Sequence, residues 1–213
     1  CNNQDICWVE GLLSTIYDVF LDQIVDGQIY TKGTGERDPS REHWTRLHEL
    51  NLAQNALLVF DRGYYSKELY EDLVSDGCHV LMRLNKGNHL TRLGSDDFSW
   101  TAASADGKPV LYRIVRVPLP EQSNEEAEYL VTNITDPSIS PALLYNLYFE
   151  RWNIETKYRE LKEWWELEEF TGTSCNSIEQ ELYINLLFSN LAALVKTEAD
   201  SIVKQKARSE ERR

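Results

Sequence analysis

"ALLVFDRGYYSKELYEDLVSDGCHVLMRL", residues 56–84, is the stretch on which the fold class turns. Its first five residues form a continuous apolar run, the pattern of a strand covered on both faces. Asp61-Arg62-Gly63 ends the run, and Gly63 permits a sharp exit. Ser66 to about Val74 reads as a short helix closed by Ser75-Asp76-Gly77, and residues 78–84 read as a second strand. Strand, helix and strand in that order are the α/β alternation of a layered sheet. Asp61 therefore stands at the C-terminal edge of a strand, where the active groups of open α/β sheets gather. The following helix begins too far along for Asp61 to be its cap.

Upstream, residues 12–30 read as two β-rich runs broken near Leu21–Gln23, a hairpin. Residues 35–55 read as a helix with Pro39 near its start and Trp44, Leu47, Leu50 and Leu52 along an apolar side. Downstream, from Asn85 to about Asp136, the runs become short and β-like: "FSWTAAS", "PVLYRIVRVPL" and "EYLVTNI". Gly94, Asp106-Gly107 and Pro120 punctuate them as turns. Helices return over 138–165, with Ser140 as cap and Pro141 at the first helical position, and again over 176–206. The boundaries this gives are 1–84, a β-rich insertion over 85–136, a helical segment over 137–206, and a charged tail over 207–213 that frays.

Within the first of those helices lies "YFERWNIETKYRELK", residues 148–162. At roughly 100° per residue, Tyr148, Arg151, Glu155 and Lys162 fall within about 60° of one another, on one face. Leu143, Leu147, Ile154, Leu161 and Trp165 form a stripe beside them that anchors the helix to a core. Taken alone, the polar face could be a solvated one in which Arg151 and Glu155 form an i,i+4 pair of about 0.3 kcal/mol.

The bulk composition narrows the classes. A chain of 213 residues with 42% hydrophobic and 11% aromatic residues is globular and can bury one sizeable core. No apolar run approaches the roughly 20 residues of a membrane span. The start, "CNNQDICWVEG", has neither the basic region nor the apolar core of a signal peptide, and it lacks a Met, which reads as a piece of something longer. Cys1, Cys7, Cys78 and Cys175 show no C-x-x-C spacing, so free thiols in a reducing compartment are expected, without a zinc site. His43, His48, His79 and His89 are read as structural or surface residues. The net charge of −13 runs against phosphate binding by the domain as a whole. The acid is localised, however, in residues 121–129 and 163–169, while Arg83, Lys86, His89 and Arg92, and then Arg113 and Arg116, form local positive sets.

Carboxylates from a strand end and a helix face, Asp61 and Glu155, can make an all-oxygen site for Mg²⁺ or Mn²⁺. Two such ions can activate a nucleophile and stabilise the leaving oxygen in phosphodiester cleavage. Arg151, Lys162 and Tyr148 would then hold phosphates.

"DRGY" after a strand, followed on a later helix by Y-x2-R-x3-E-x6-K, resembles the insertion-sequence-4 family of bacterial DDE transposases. The resemblance extends over "YDVFLDQIVDGQIYTKGTGERD", "LLVFDRGYYS" and "FTGTSCNSIEQELYINLLFSNL", most of the chain. It implies an RNase H-like α/β core, begun by residues 1–84, interrupted by the β-rich insertion and completed by the glutamate helix in 137–206. It further implies two-metal phosphoryl transfer at the ends of a mobile element, with Mg²⁺ or Mn²⁺ as cofactor and DNA as partner. A homodimer as the active complex and a bacterial cytoplasmic, nucleoid-associated location go with it. Asp61 matches the family's second catalytic aspartate and Glu155 its glutamate, both as metal ligands. Tyr148, Arg151 and Lys162 match positions that contact DNA at the element end, and Trp100 is a candidate for stacking on a flipped base. The family's first aspartate lies on a strand before the paired strands, and no residue matches it: Asp5 is in a polar stretch, and Asp18, Asp22 and Asp26 align after that strand. The expectation is a fragment inactive alone. An RNase H-like nuclease and a non-catalytic DNA-binding remnant are the alternatives.

Overall fold

The computed structural model describes residues 11–92, 96–119, 121–123, 126–167 and 169–210. Cys1, Asp5, Cys7, the turn residues Gly94 and Pro120, and tail residues 211–213 lie outside them. The chain divides into two units, Glu36–Trp152 and Cys1–Gly35 with Asn153–Arg213.

The unit of residues 36–152 is a mixed sheet with helices. Strands β3 (Leu57–Phe60), β4 (His79–Arg83), β5 (Asp97–Ala103), β6 (Pro109–Pro118) and β7 (Ala127–Thr132) are ordered β3-β4-β7-β6-β5. β3 and β4 run parallel and flank a helix in sequence; the remaining pairs are antiparallel. The β-rich segment expected as an insertion thus supplies three strands of the same sheet, with Leu81 of β4 facing Thr132 of β7. β3 stands at the sheet edge and buries only Leu58, whereas β4 buries Val80, Leu81 and Met82 and is the strand covered on both faces.

Side chains alternate along β6, so each sheet face has its own partners. On one face Tyr112 stacks at 4.7 Å on Tyr70 of α2 (Lys67–Ser75). On the other, Leu81, Val115 and Leu130 pack with Leu144 and Tyr148 of α3 (Pro141–Glu150). Arg113 is 4% exposed, and a charge buried so deeply requires close partners. Its guanidinium bridges both carboxylate oxygens of Asp97 at 2.8 Å and donates to the carbonyls of Ile134 and Asp136 at 3.3 Å. α1 (Arg37–Glu49) buries Trp44 and Leu47. Leu50 and Leu52, expected on the same apolar side, fall beyond its end and are exposed.

The Ser140 cap forms as expected, and Ser66, expected as the first residue of its helix, is a second serine cap. The Ser66 hydroxyl accepts from Leu69 N–H and the Ser140 hydroxyl from Leu143 N–H, the latter with Pro141 in the first turn. The single helix expected over 138–165 does not form. α3 ends at Glu150, and Arg151 and Trp152 make i→i+3 bonds to Tyr148 and Phe149 before α4 (Asn153–Trp164) begins. Neither Gly nor Pro marks the break, but the two helices serve different cores: α3 buries Leu144 and Tyr148, α4 buries Lys157 and Leu161. The expected stripe fails at Leu143, which is exposed while Leu144 is fully covered.

In the other unit, β1 (Gly11–Asp18) and β2 (Gln23–Thr31) form an antiparallel hairpin with an irregularity at Ile16/Tyr17. Asp18 closes its turn by accepting from Phe20 and Leu21 N–H, and Asp22 takes a left-handed conformation, φ 55°. Ile24, Leu161, Leu167, Leu182 and Leu186 form the core between hairpin, α4 and α5 (Cys175–Glu210). Asn190 of α5 grips both backbone groups of Ile24 at 2.8 Å. A Cβ on Gly27 would meet Leu186 Cδ1 at 2.7 Å, so the absence of a side chain lets α5 approach. α5 continues to Glu210, so most of the expected frayed tail is helical.

Candidate active site

Asp61 follows β3 immediately, at the strand's C-terminal end. The loop behind it turns through Tyr64 N–H to Asp61 carbonyl, and Arg37 of α1 donates to the carbonyls of Gly63 and Tyr65. Ser66 caps α2, which leaves the Asp61 side chain for another purpose.

That side chain points to α3. Tyr148 is 2% exposed, held in the core by Leu81, Val115, Leu130 and Leu144, and its phenol donates to Asp61 Oδ1 at 2.7 Å. Arg151 caps the same helix, with Nη2 3.8 Å from Asp61 Oδ2. Its guanidinium lies 5.6 Å from the Tyr148 ring centre and 5.0 Å from that of Trp152, which fixes its plane by cation–π contact. Burial alone would raise the Asp61 carboxyl. The Tyr148 hydrogen bond, the Arg62 backbone N–H and the charges of Arg151 and Arg83 outweigh burial and hold it below its ordinary value. Tyr148 responds in the opposite sense: burial first, then its bond to the carboxylate, push the phenol up to about 12. The result is a carboxylate that is ionised, oriented by two partners and still 43% exposed, so a ligand can reach it.

The remaining candidates lie on other elements. Glu155 occupies the first turn of α4 and Lys162 its last turn, both exposed, in the unit of residues 1–35 and 153–213. With α3 and α4 interrupted at Arg151–Trp152, counting 100° per residue from Tyr148 no longer relates the four signature side chains. Trp100 of β5 lies parallel to Tyr112, 4.9 Å away at 9°, and beside Phe98 at 5.4 Å, as a member of an aromatic row across the sheet. The positive sets are largely matched internally: Arg83 pairs with Glu128 at 2.8 Å, Arg113 with Asp97, and Arg116 with Asp96 at 3.4 Å. Asp18 and Asp22 serve the hairpin turn.

Sequence reading gave Tyr148 a DNA contact and had no means to find its bond to Asp61, across 87 residues. Lys157, which is buried, also escaped it; the one available signal was its place beside Leu161 and Tyr158 on the apolar side of α4. Among the described residues no three His, Cys, Asp or Glu side chains converge to hold a metal ion.

The family model described as "Transposase DDE domain" matches residues 8–191. The chain is also similar to the transposase InsG for insertion sequence element IS4 of Escherichia coli (strain K12), 29% identical over 154 residues. That match takes in 64% of this chain and 34% of the relative, so it spans about a third of the relative's length. The mixed α/β fold, a strand-end aspartate held by the tyrosine and arginine of the 148–162 motif, and this match across both units lead to one assignment: the chain belongs to the transposase DDE domain family.

Proposed function

We propose that the chain is part of the catalytic domain of a DNA transposase, acting on the ends of an insertion sequence by cleaving and joining strands. The observation that carries this is the Asp61 carboxylate, kept ionised and oriented by Tyr148 and Arg151 at the end of β3. Asp61 and Glu155 are the carboxylates assigned to metal binding, through their match to the family motif. Members of the family generally use divalent ions, and bound Mg²⁺ or Mn²⁺ would supply activation of the attacking oxygen and stabilisation of the leaving one. Tyr148 is assigned to orienting Asp61, and Arg151 and Lys162 to DNA phosphates. The active complex is proposed to be a homodimer on DNA in the bacterial cytoplasm. No helix among the described residues is long and apolar enough to cross a membrane.

Two carboxylates leave a pair of divalent ions under-ligated, so a further ligand must come from outside the described set. The 213 residues alone are accordingly proposed to be inactive. The test uses a labelled DNA duplex carrying an end of the element, with Mg²⁺ or Mn²⁺. Three proteins are compared: the 213-residue chain, a longer one including the coding sequence upstream of Cys1, and the longer one with Glu155→Gln. Nicking and joining by the longer protein only, lost on Glu155→Gln with DNA binding kept, is the expected result. Nicking without joining would make the protein a nuclease, and binding without nicking by the longer protein a non-catalytic remnant.

A further inference from the structure

α4 carries a buried cation that the proposed chemistry does not use. Lys157 is 3% exposed, and its ammonium lies 3.2 Å from the Asp22 carbonyl, 3.3 Å from Asp22 Oδ1 and 3.8 Å from Glu160. Asp22 is the left-handed residue of the β1–β2 turn, and Tyr17 also donates to its Oδ1, at 2.8 Å. One residue on, the Tyr158 hydroxyl meets Thr15 Oγ1 at 2.7 Å. An unpaired buried ammonium would be strongly disfavoured, so these contacts fix where Lys157 can sit.

The geometry points to Lys157 as a positioning residue for Glu155, locking the helix that bears it to the turn of the β1–β2 hairpin. This rests on the role proposed for Glu155 above. Lys157 and Leu161 lie roughly 160° and 120° around α4 from Glu155 and Tyr158 about 60°, so Lys157 and Leu161 grip the side turned away from the carboxylate while Tyr158 holds its flank. The i→i+3 turn at Arg151–Trp152 separates α4 from α3. Leu161 supplies apolar burial, which is non-directional; the Lys157–Asp22 and Tyr158–Thr15 contacts supply direction. Asp22, outside the metal-ligand set in this reading, acquires its role as the anchor.

Two measurements test this, with Lys157→Met and Asp22→Asn. The second variant keeps the hydrogen-bond acceptor and a residue tolerant of the left-handed turn, and so remains informative if the first does not fold. In the 213-residue chain, amide hydrogen exchange over 153–164 should accelerate about tenfold or more in Lys157→Met while residues 182–193 of α5 change by less than about twofold. In the nicking-competent longer protein, the nicking rate at saturating DNA should fall about tenfold or more, with affinity for the end duplex within about twofold, because a misplacement near 1 Å is enough. Asp22→Asn should move both readouts in the same direction by less. Unchanged exchange in α4, or rate and affinity falling together, would overturn the positioning role. Glu155→Gln is the control: if nicking survives it, the function assigned to Glu155 fails, and the exchange measurement still decides whether Lys157 locks α4 to the hairpin.

Discussion

Tyr148→Phe removes one oxygen and leaves the ring, so its effect isolates the bond to Asp61. The bond is 2.7 Å long, from a phenol buried at 2% exposure to an ionised carboxylate. Hydrogen bonds to charged groups contribute about 1.5–3 kcal/mol. The Asp61 side chain is 43% exposed, so water replaces part of what is lost, and about 1 kcal/mol is the expected destabilisation at pH 7. That corresponds to a fall in Tm of roughly 2–4 °C for a chain of this size. The pH dependence gives the decisive signature. The Asp61 carboxyl is lowered in the folded state, so its contribution to stability is present above the unfolded value of about 3.9 and is lost as pH falls through the folded value. The gap between the native chain and Tyr148→Phe should therefore be full at pH 7 and close as pH drops below about 4. Urea unfolding followed by tryptophan fluorescence between pH 3 and 7 reads it directly. A gap of the same size at both ends of that range would show that the hydroxyl acts through packing and does not serve the carboxylate.

Asn190→Ala leaves the N–H and C=O of Ile24 without their side-chain partner and should cost about 2 kcal/mol in urea unfolding, two bonds at about 1 kcal/mol each; stability within error of the native chain would refute the clamp. Arg151→Ala in the longer protein should weaken binding to element ends and lower the slope of log affinity against log salt by about 1, as one phosphate contact disappears. An unchanged slope would confine Arg151 to its ion pair with Asp61.

What the sequence disclosed is what local pattern encodes. The alternation of 56–84 becomes β3, α2 and β4, residues 12–30 become the hairpin, and Ser140 caps the helix it precedes. Elements decided by distant contacts were illegible. The apolar run at 57–60 looks central because composition reports only hydrophobicity; its place at the edge follows from which strands pair with β4. Arg113, grouped with the other cations by sequence, enters the protein interior because Asp97 lies across the strand pair to receive it. The break at Arg151–Trp152 carries no Gly or Pro, and arises where the chain passes from one unit to the other. In the same way the motif tyrosine could be found by its spacing, but its partner could be found only in three dimensions.

Asp61 is proposed as a catalytic carboxylate, and replacing its charge while keeping its shape tests that role most directly. In the longer protein proposed above to nick DNA, Mn²⁺-dependent nicking of an element-end duplex should be compared between the native protein and Asp61→Asn at saturating DNA. The expected loss exceeds about a hundredfold, since even the outer partners of metal ligands act on that scale, with DNA binding retained. Nicking within about tenfold of the native rate would contradict that role, and would leave Asp61 as a structural partner of Tyr148 and Arg151.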